Sequence, residues 1–165
     1  MKRLFSLLTL CALMLALTAC GAPAAPSGSA ASGAAEVSFD AVYQGILNAQ
    51  ENTDELIFFP EEGADAIESL YPGLSDLKPV RLQLYLPPVT GYACEILLVE
   101  VAEDSVDAAK AILQARVDSA ANDTGYPENA VLWQSNAQVQ VQGNCLCMIA
   151  LPDGYTIPEN VFALG

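Results

Sequence analysis

The chain has no histidine, and this absence removes more function classes than any residue present assigns. Without imidazole the commonest metal ligand is missing, and the His-dependent triads and dyads of nucleophilic catalysis go with it. Cations are almost as scarce, with 6 Lys+Arg against 20 Asp+Glu and a net charge of −14. A surface with that balance repels phosphate backbones and anionic headgroups, so nucleic acid is excluded as a partner. There is no G-x-S-x-G elbow, no P-loop and no Gly-rich dinucleotide turn. The five cysteines form no C-x-x-C pair. No cofactor and no metal site is expected from this set of residues. The longest apolar run, Leu4 to Leu17, is too short for a stable membrane span.

That run has a different use. Met1-Lys2-Arg3 supplies a positive start, Leu4 to Leu17 the apolar stretch of a signal peptide, and Leu17-Thr18-Ala19-Cys20-Gly21 a bacterial lipobox. A lipobox needs a thiol because the diacylglycerol thioether forms on it, and small residues before it admit the processing peptidase. Residues 1–19 are therefore predicted to be a lipoprotein signal peptide, and Cys20 the lipidated first residue of the mature chain. More than one acyl chain, palmitate among them, holds a protein at a membrane far more firmly than a single chain does. The alternative is an ordinary secretory signal with an incidental cysteine. Gly21 to Ala35 contains only Ala, Gly, Ser and Pro. With nothing to bury, residues 20–35 read as the lipidated cysteine and a flexible linker, whose coil would span roughly 20 Å. Processing leaves four cations against 20 acids on the mature chain. That charge would keep the domain off the membrane surface to which it is tethered.

Residues 36–165 are long enough for one domain and too short for two. Phe39, Val42, Tyr43, Ile46 and Leu47 recur at helical spacing, with Ser38 as N-cap. Leu56 to Phe59 is a short apolar run stopped by Pro60, and Ala64 to Leu70 a short helix ended by Tyr71-Pro72-Gly73. Val80, Leu82, Leu84 and Leu86 alternate with Arg81, Gln83 and Tyr85, the pattern of a half-buried strand. Ala93 to Val101 is apolar on both faces apart from Glu95 and Glu100, which predicts a central strand. Ser105 to Ala121 is a long helix capped by Asp104, with Val106, Ala109, Leu113, Val117 and Ala120 in one stripe. Val131 to Trp133 is expected to begin a third strand, bulged at Ser135-Asn136 and continued by Val139 and Val141. Gly143-Asn144 makes a hairpin turn into a second central strand, Cys145 to Leu151. The tail from Pro152 to Gly165 shows little periodicity. The predicted fold is α+β: a four-stranded, mainly antiparallel sheet of β-β-α-β-β order, with a long helix on one face and an N-terminal helix. The two strands that are apolar on both faces should lie in the middle, in spatial order one, two, four, three.

Several of these features together resemble a bacterial lipoprotein family known as domain of unknown function 4358. The matching residues are Ala93-Cys94-Glu95-Ile96 entering a strand, Arg116-Val117 in the helix, Tyr126-Pro127 after it and Gly143-Asn144 before the last strand. The resemblance covers roughly residues 74–152. It implies a lipoprotein leader joined by a small-residue linker to this domain, and it carries no activity. The family commonly has a charged residue where this chain has Cys94, so that cysteine is not a family feature.

Four groups of residues could carry chemistry. Cys145 and Cys147 point to one face of a strand, and with Cys94 could form a thiolate metal site or redox pair, or pack as small apolar side chains. Strand order places Cys94 too far along the sheet to bridge either, so three reduced, buried thiols are expected. Glu61, Glu62, Asp65 and Glu68 could hold calcium or favour a helix start. Gln138, Gln140 and Gln142, with Trp133 nearby, could bind carbohydrate or peptide, or face solvent. Glu95 interrupts an apolar strand, which is costly without a partner. Arg116 flanks the helix stripe, where its stem can pack and its head can reach a carboxylate. Glu95 and Arg116 are therefore a candidate structural ion pair, carried also by the resemblance; the alternative makes Glu95 an acid or a ligand in a pocket. The function expected is a membrane-anchored extracytoplasmic lipoprotein, a binding or interaction module with a protein or polymer partner in the cell envelope. An envelope enzyme with a carboxylate-based site, or a structural subunit of an envelope complex, are the alternatives.

Overall fold

The computed structural model describes residues 36–54, 56–89 and 93–165. Cys20, the signal peptide and the linker lie outside the described residues. The elements in chain order are α1 (Phe39–Asn48), β1 (Phe59–Glu61), α2 (Ala64–Leu70), β2 (Arg81–Leu86), β3 (Glu95–Glu100), α3 (Val106–Ala121), α4 (Pro127–Ser135), β4 (Ala137–Gln142) and β5 (Cys145–Ala150). Short 3-10 turns occupy Ser75–Leu77, Glu103–Ser105 and Val161–Leu164. No helix among the described residues is long and apolar enough to cross a membrane.

The strands form one sheet in the order β1-β2-β3-β5-β4, every neighbouring pair antiparallel. The α+β class and the central position of β3 and β5 agree with the sequence reading, but the sheet has five strands rather than four. The extra strand, β1, is three residues long and contains Pro60. It is too short to show an alternating pattern, and proline is tolerated because β1 lies at the sheet edge. Both central strands are buried from end to end, apart from the half-exposed Glu100.

Helices cover both faces of the sheet. On one face α1 sets Phe39, Val42 and Ile46 against Cys94, Ile96, Leu98, Cys147 and Ile149. Ser38 caps α1 as expected, its Oγ accepting from Ala41 N at 3.3 Å. On the other face Ala109, Leu113 and Val117 of α3 and Trp133 of α4 pack on Leu97, Val99, Leu146 and Met148. This two-sided cover changes the reading of β2. Its supposed solvent side is closed by α1, and the Tyr85 ring stacks on Tyr43 with centroids 4.0 Å apart. Val80 precedes the strand and is 65% exposed.

Three other expectations are corrected. Asp104 does not cap the long helix; a 3-10 turn leads into α3, and Ser105 at the N-cap makes no side-chain cap bond. Val131 to Trp133 is helical, not a strand. Pro127 stands in the first turn with its backbone angle preset for a helix, and Glu128 in the same turn favours the positive end of the helix dipole. Ala130 and Trp133, three apart, then bury one side of α4. The aperiodic tail is part of the core: Val161 is fully buried and Phe162 nearly so. Specific polar contacts, not periodicity, hold it. Gln140 donates to the Pro158 carbonyl at 2.8 Å and accepts from Val161 N at 2.9 Å. A side chain at Gly45 would collide with Leu164, so the bare backbone of α1 is what lets the tail close. The Gly143-Asn144 hairpin turn forms as expected, with Gly143 at φ +60°.

Cys94, Cys145 and Cys147 are free, buried and on the α1 face. Leu98, not Cys94, is opposite Cys147. Four residues of strand separate Cys94 from that register, roughly 13 Å, well beyond bridging range. Burial pushes the Cys94 thiol up to about 12, with Glu95 adding to the effect, and burial raises Cys147 further. Both should stay protonated and unreactive toward a thiol reagent at pH 8 in the native protein. Unfolding in denaturant without reductant should release all three at once. Rapid modification of Cys94 or Cys147 in the folded chain would contradict this packing.

Candidate functional site

Glu95 opens β3, and residues 95, 97 and 99 of that strand share the face toward α3. Glu95 is 3% exposed, the one buried charged residue among the described residues. Two neighbours meet the cost of this burial. Arg116 donates from Nε to Oε1 at 3.2 Å and from Nη2 to Oε2 at 2.6 Å, a two-pronged clamp. The hydroxyl of Tyr71, the fully buried residue that ends α2, donates to Oε1. No buried side-chain nitrogen or oxygen among the described residues lacks a partner. Burial, followed by the Glu95 charge, holds the Tyr71 hydroxyl well above its usual range, so it serves as a neutral donor. Burial works against the charge of Arg116, and the hydrogen bonds and charge of Glu95 more than offset it.

The guanidinium of Arg116 also lies over the Trp133 ring, 4.8 Å from its centroid. Trp133 is in position only because α4 is a helix. The sequence reading paired Glu95 with Arg116 but missed Tyr71 and Trp133. In the sequence Tyr71 reads as a helix stop, and Trp133 as a strand residue beside the glutamine stripe. The signal available was the spacing of Trp133 from Ala130 after Tyr126-Pro127.

One side of Arg116 remains open. It forms part of a cleft of about 460 Å³ lined also by Ser119, Ala120, Asn122, Asp123, Thr124, Tyr126, Asn129 and Trp133. Apart from Ala120 and the Trp133 ring, these are hydroxyls, amides, one carboxylate and an exposed phenol ring. The arrangement can offer many hydrogen bonds and an aromatic surface, but little net positive charge, because Glu95 already balances Arg116.

The other candidates are not brought together. Gln138, Gln140 and Gln142 pair with Ile149, Cys147 and Cys145, which puts them on the α1 side of the sheet. Trp133 is on the opposite side, and Gln140 is occupied with the tail. In the acidic group, Glu61 accepts from Gly63 N at 2.7 Å and Glu68 from Gly73 N at 3.1 Å. These carboxylates brace turns. Among the described residues no group of three or more Cys, Asp or Glu could hold a metal ion. A second ion cluster is not evident from the sequence. Arg81 bonds Glu100 through Nε at 2.7 Å and Nη2 at 2.6 Å, contacts Glu36 at 3.3 Å and covers the Phe39 ring at 4.6 Å. Arg81 and Glu100 are directly opposite in the register, so strand pairing alone would have shown it.

Removing one member of the buried pair strands the other. Arg116→Ala should destabilise the fold by about 3–5 kcal/mol in denaturant titration. Replacing both Arg116 and Glu95 by apolar residues should cost clearly less than the sum of the single changes. Strict additivity would mean that the two groups are not coupled.

A match to a known protein family covers residues 65–151, and its description is Domain of unknown function (DUF4358). Tyr71, Glu95, Arg116 and Trp133 all fall within it, whereas α1 and the tail fall outside. Comparison with curated proteins and with solved structures gives no match. The matched region covers just over half of the chain, and the chain belongs to the DUF4358 family.

Proposed function

We propose that this chain is a lipoprotein anchored through Cys20 on the extracytoplasmic face of the bacterial membrane, and that its folded domain is a binding module of the cell envelope. The anchor rests on the register of Met1-Lys2-Arg3, the apolar run and Leu17-Thr18-Ala19-Cys20-Gly21, followed by a linker of small residues. The binding role rests on one observation: Arg116, fixed by Glu95 and Trp133, presents its free side to a cleft walled by hydroxyl and amide groups. A rigidly held donor in the lining of a concave polar site is what recognition needs, because little ordering cost remains to be met on binding. The charge balance selects the ligand class. Arg116 is neutralised by Glu95, Asp123 lines the wall and the chain is strongly acidic. An anionic ligand is therefore disfavoured, and an uncharged, hydroxyl-rich one, such as a stretch of envelope polysaccharide, suits the walls and the Tyr126 ring.

Two measurements test the two halves of this reading. Metabolic labelling with a palmitate analogue should mark the wild-type chain, and Cys20→Ser should abolish the label and release the protein from the membrane. An unlabelled wild-type chain would overturn the anchor. Trp133 is the single tryptophan, so its fluorescence reports on the cleft directly. Titration with an N-acetylglucosamine oligomer and with other uncharged oligosaccharides should shift that emission saturably. Tyr126→Ala and Asn129→Ala should each weaken binding by about tenfold, the worth of one good contact. An emission that no uncharged oligosaccharide moves would overturn the assignment of ligand.

A further inference from the structure

The two edges of the sheet are built differently. β1 is three residues long, contains Pro60 and ends on Glu61-Glu62, all devices that discourage a further strand. β4 has none of them. Its sequence, Ala-Gln-Val-Gln-Val-Gln, is six residues of strand with no charge and no proline. In a chain with 20 acids, every residue from Asn129 to Pro152 is uncharged.

The hairpin geometry shows which backbone groups of β4 are open. Gln142 and Cys145 flank the two-residue turn Gly143-Asn144, so they form its closing hydrogen-bonded pair. Alternation makes Gln140–Cys147 and Gln138–Ile149 hydrogen-bonded pairs as well. The bond from Leu151 N to Asn136 O, 3.1 Å, continues the series. Ala137, Val139 and Val141 therefore turn their N–H and C=O groups away from β5, and no strand covers them among the described residues.

We propose that β4 pairs with β4 of a second copy of this chain, antiparallel across a two-fold axis at Val139. In that register Val139 meets its own counterpart, and Ala137 meets Val141 of the other copy. The three outward residues of each strand then satisfy one another in six N–H···O=C bonds. Side chains agree on both faces. Valine and alanine adjoin valine on the α3 side, while Gln138 adjoins Gln140 of the other copy on the α1 side, amide beside amide. The alternation reads the same in either direction, which is the self-complementarity that a two-fold interface requires. Charge favours the same occupant. A foreign partner selected by charge would be basic, and this edge carries no acid to select it. Two acidic copies can approach closely only where both are neutral, and β4 lies within that uncharged stretch.

Sedimentation of the full-length chain across a range of concentrations tests this. A reversible dimer is expected, and Val141→Pro should reduce it to monomer. The N–H lost in that variant points outward, so the bonding to β5 and the far-ultraviolet spectrum should be kept. A wild-type chain that stays monomeric overturns the proposal, as does a dimer that Val141→Pro leaves intact. If that variant fails to fold, Val139→Cys serves instead. The paired Cα atoms would be about 5.5 Å apart, within disulfide range. Mild oxidation should link two Val139→Cys chains, while the parental chain stays unlinked; failure to link sinks the register. A monomer that binds a synthetic Ala-Gln-Val-Gln-Val-Gln peptide would point to a foreign strand and overturn self-pairing.

Discussion

The carboxylate of Glu95 is the constraint around which the rest of the domain is arranged. It is a charge on a central strand, out of reach of water, and it is tolerable only if both oxygens are occupied from within. Tyr71 comes from the end of α2, Arg116 from the middle of α3, and Trp133 from α4 to hold Arg116 from its other side. Three elements far apart in sequence thus converge on one acid of a fourth. Arginine suits this place better than lysine because its planar fork takes both carboxylate oxygens and still offers a face to an aromatic ring. The same fixation gives the cleft one rigid wall, so stability and the proposed recognition share one set of bonds.

The remaining polar contacts follow the same economy. Arg81 and Arg116 are both committed to carboxylates, and of the four described cations only Lys78 and Lys110 make no ion pair. The acids that face solvent are therefore largely unopposed, and the field around the domain is negative. At the end of the chain, side-chain amides do what apolar periodicity does elsewhere. Gln140 ties down the tail, and Asn136 shares its amide protons among the carbonyls of Leu151, Pro152 and Tyr155. These glutamine and asparagine residues look like solvent-facing filler in the sequence, yet they anchor the segment that closes the α1 side of the core.

Elements whose burial is written in a period are legible along the chain. The continuous apolar runs of β3 and β5 could only be central strands, since both faces had to be covered. The helical spacing of α1 and α3 needed no outside information, nor did Gly143-Asn144, where a positive φ favours glycine. The partnership of Glu95 and Arg116 was legible for a related reason: an acid inside an apolar strand requires a cation, and few cations were available. The remaining elements depend on contacts made across the fold. Val131 to Trp133 favours a strand by composition, but the preset Pro127 and the space under Arg116 made it a helix. β1 exists only because the open edge of β2 offers hydrogen bonds to a segment with no pattern of its own. Val161 and Phe162 are buried because Gly45 leaves room and Gln140 supplies bonds, neither of which is a local property of the tail. Periodic burial is recorded along the chain, whereas a contact between distant segments depends on a surface that exists only after folding.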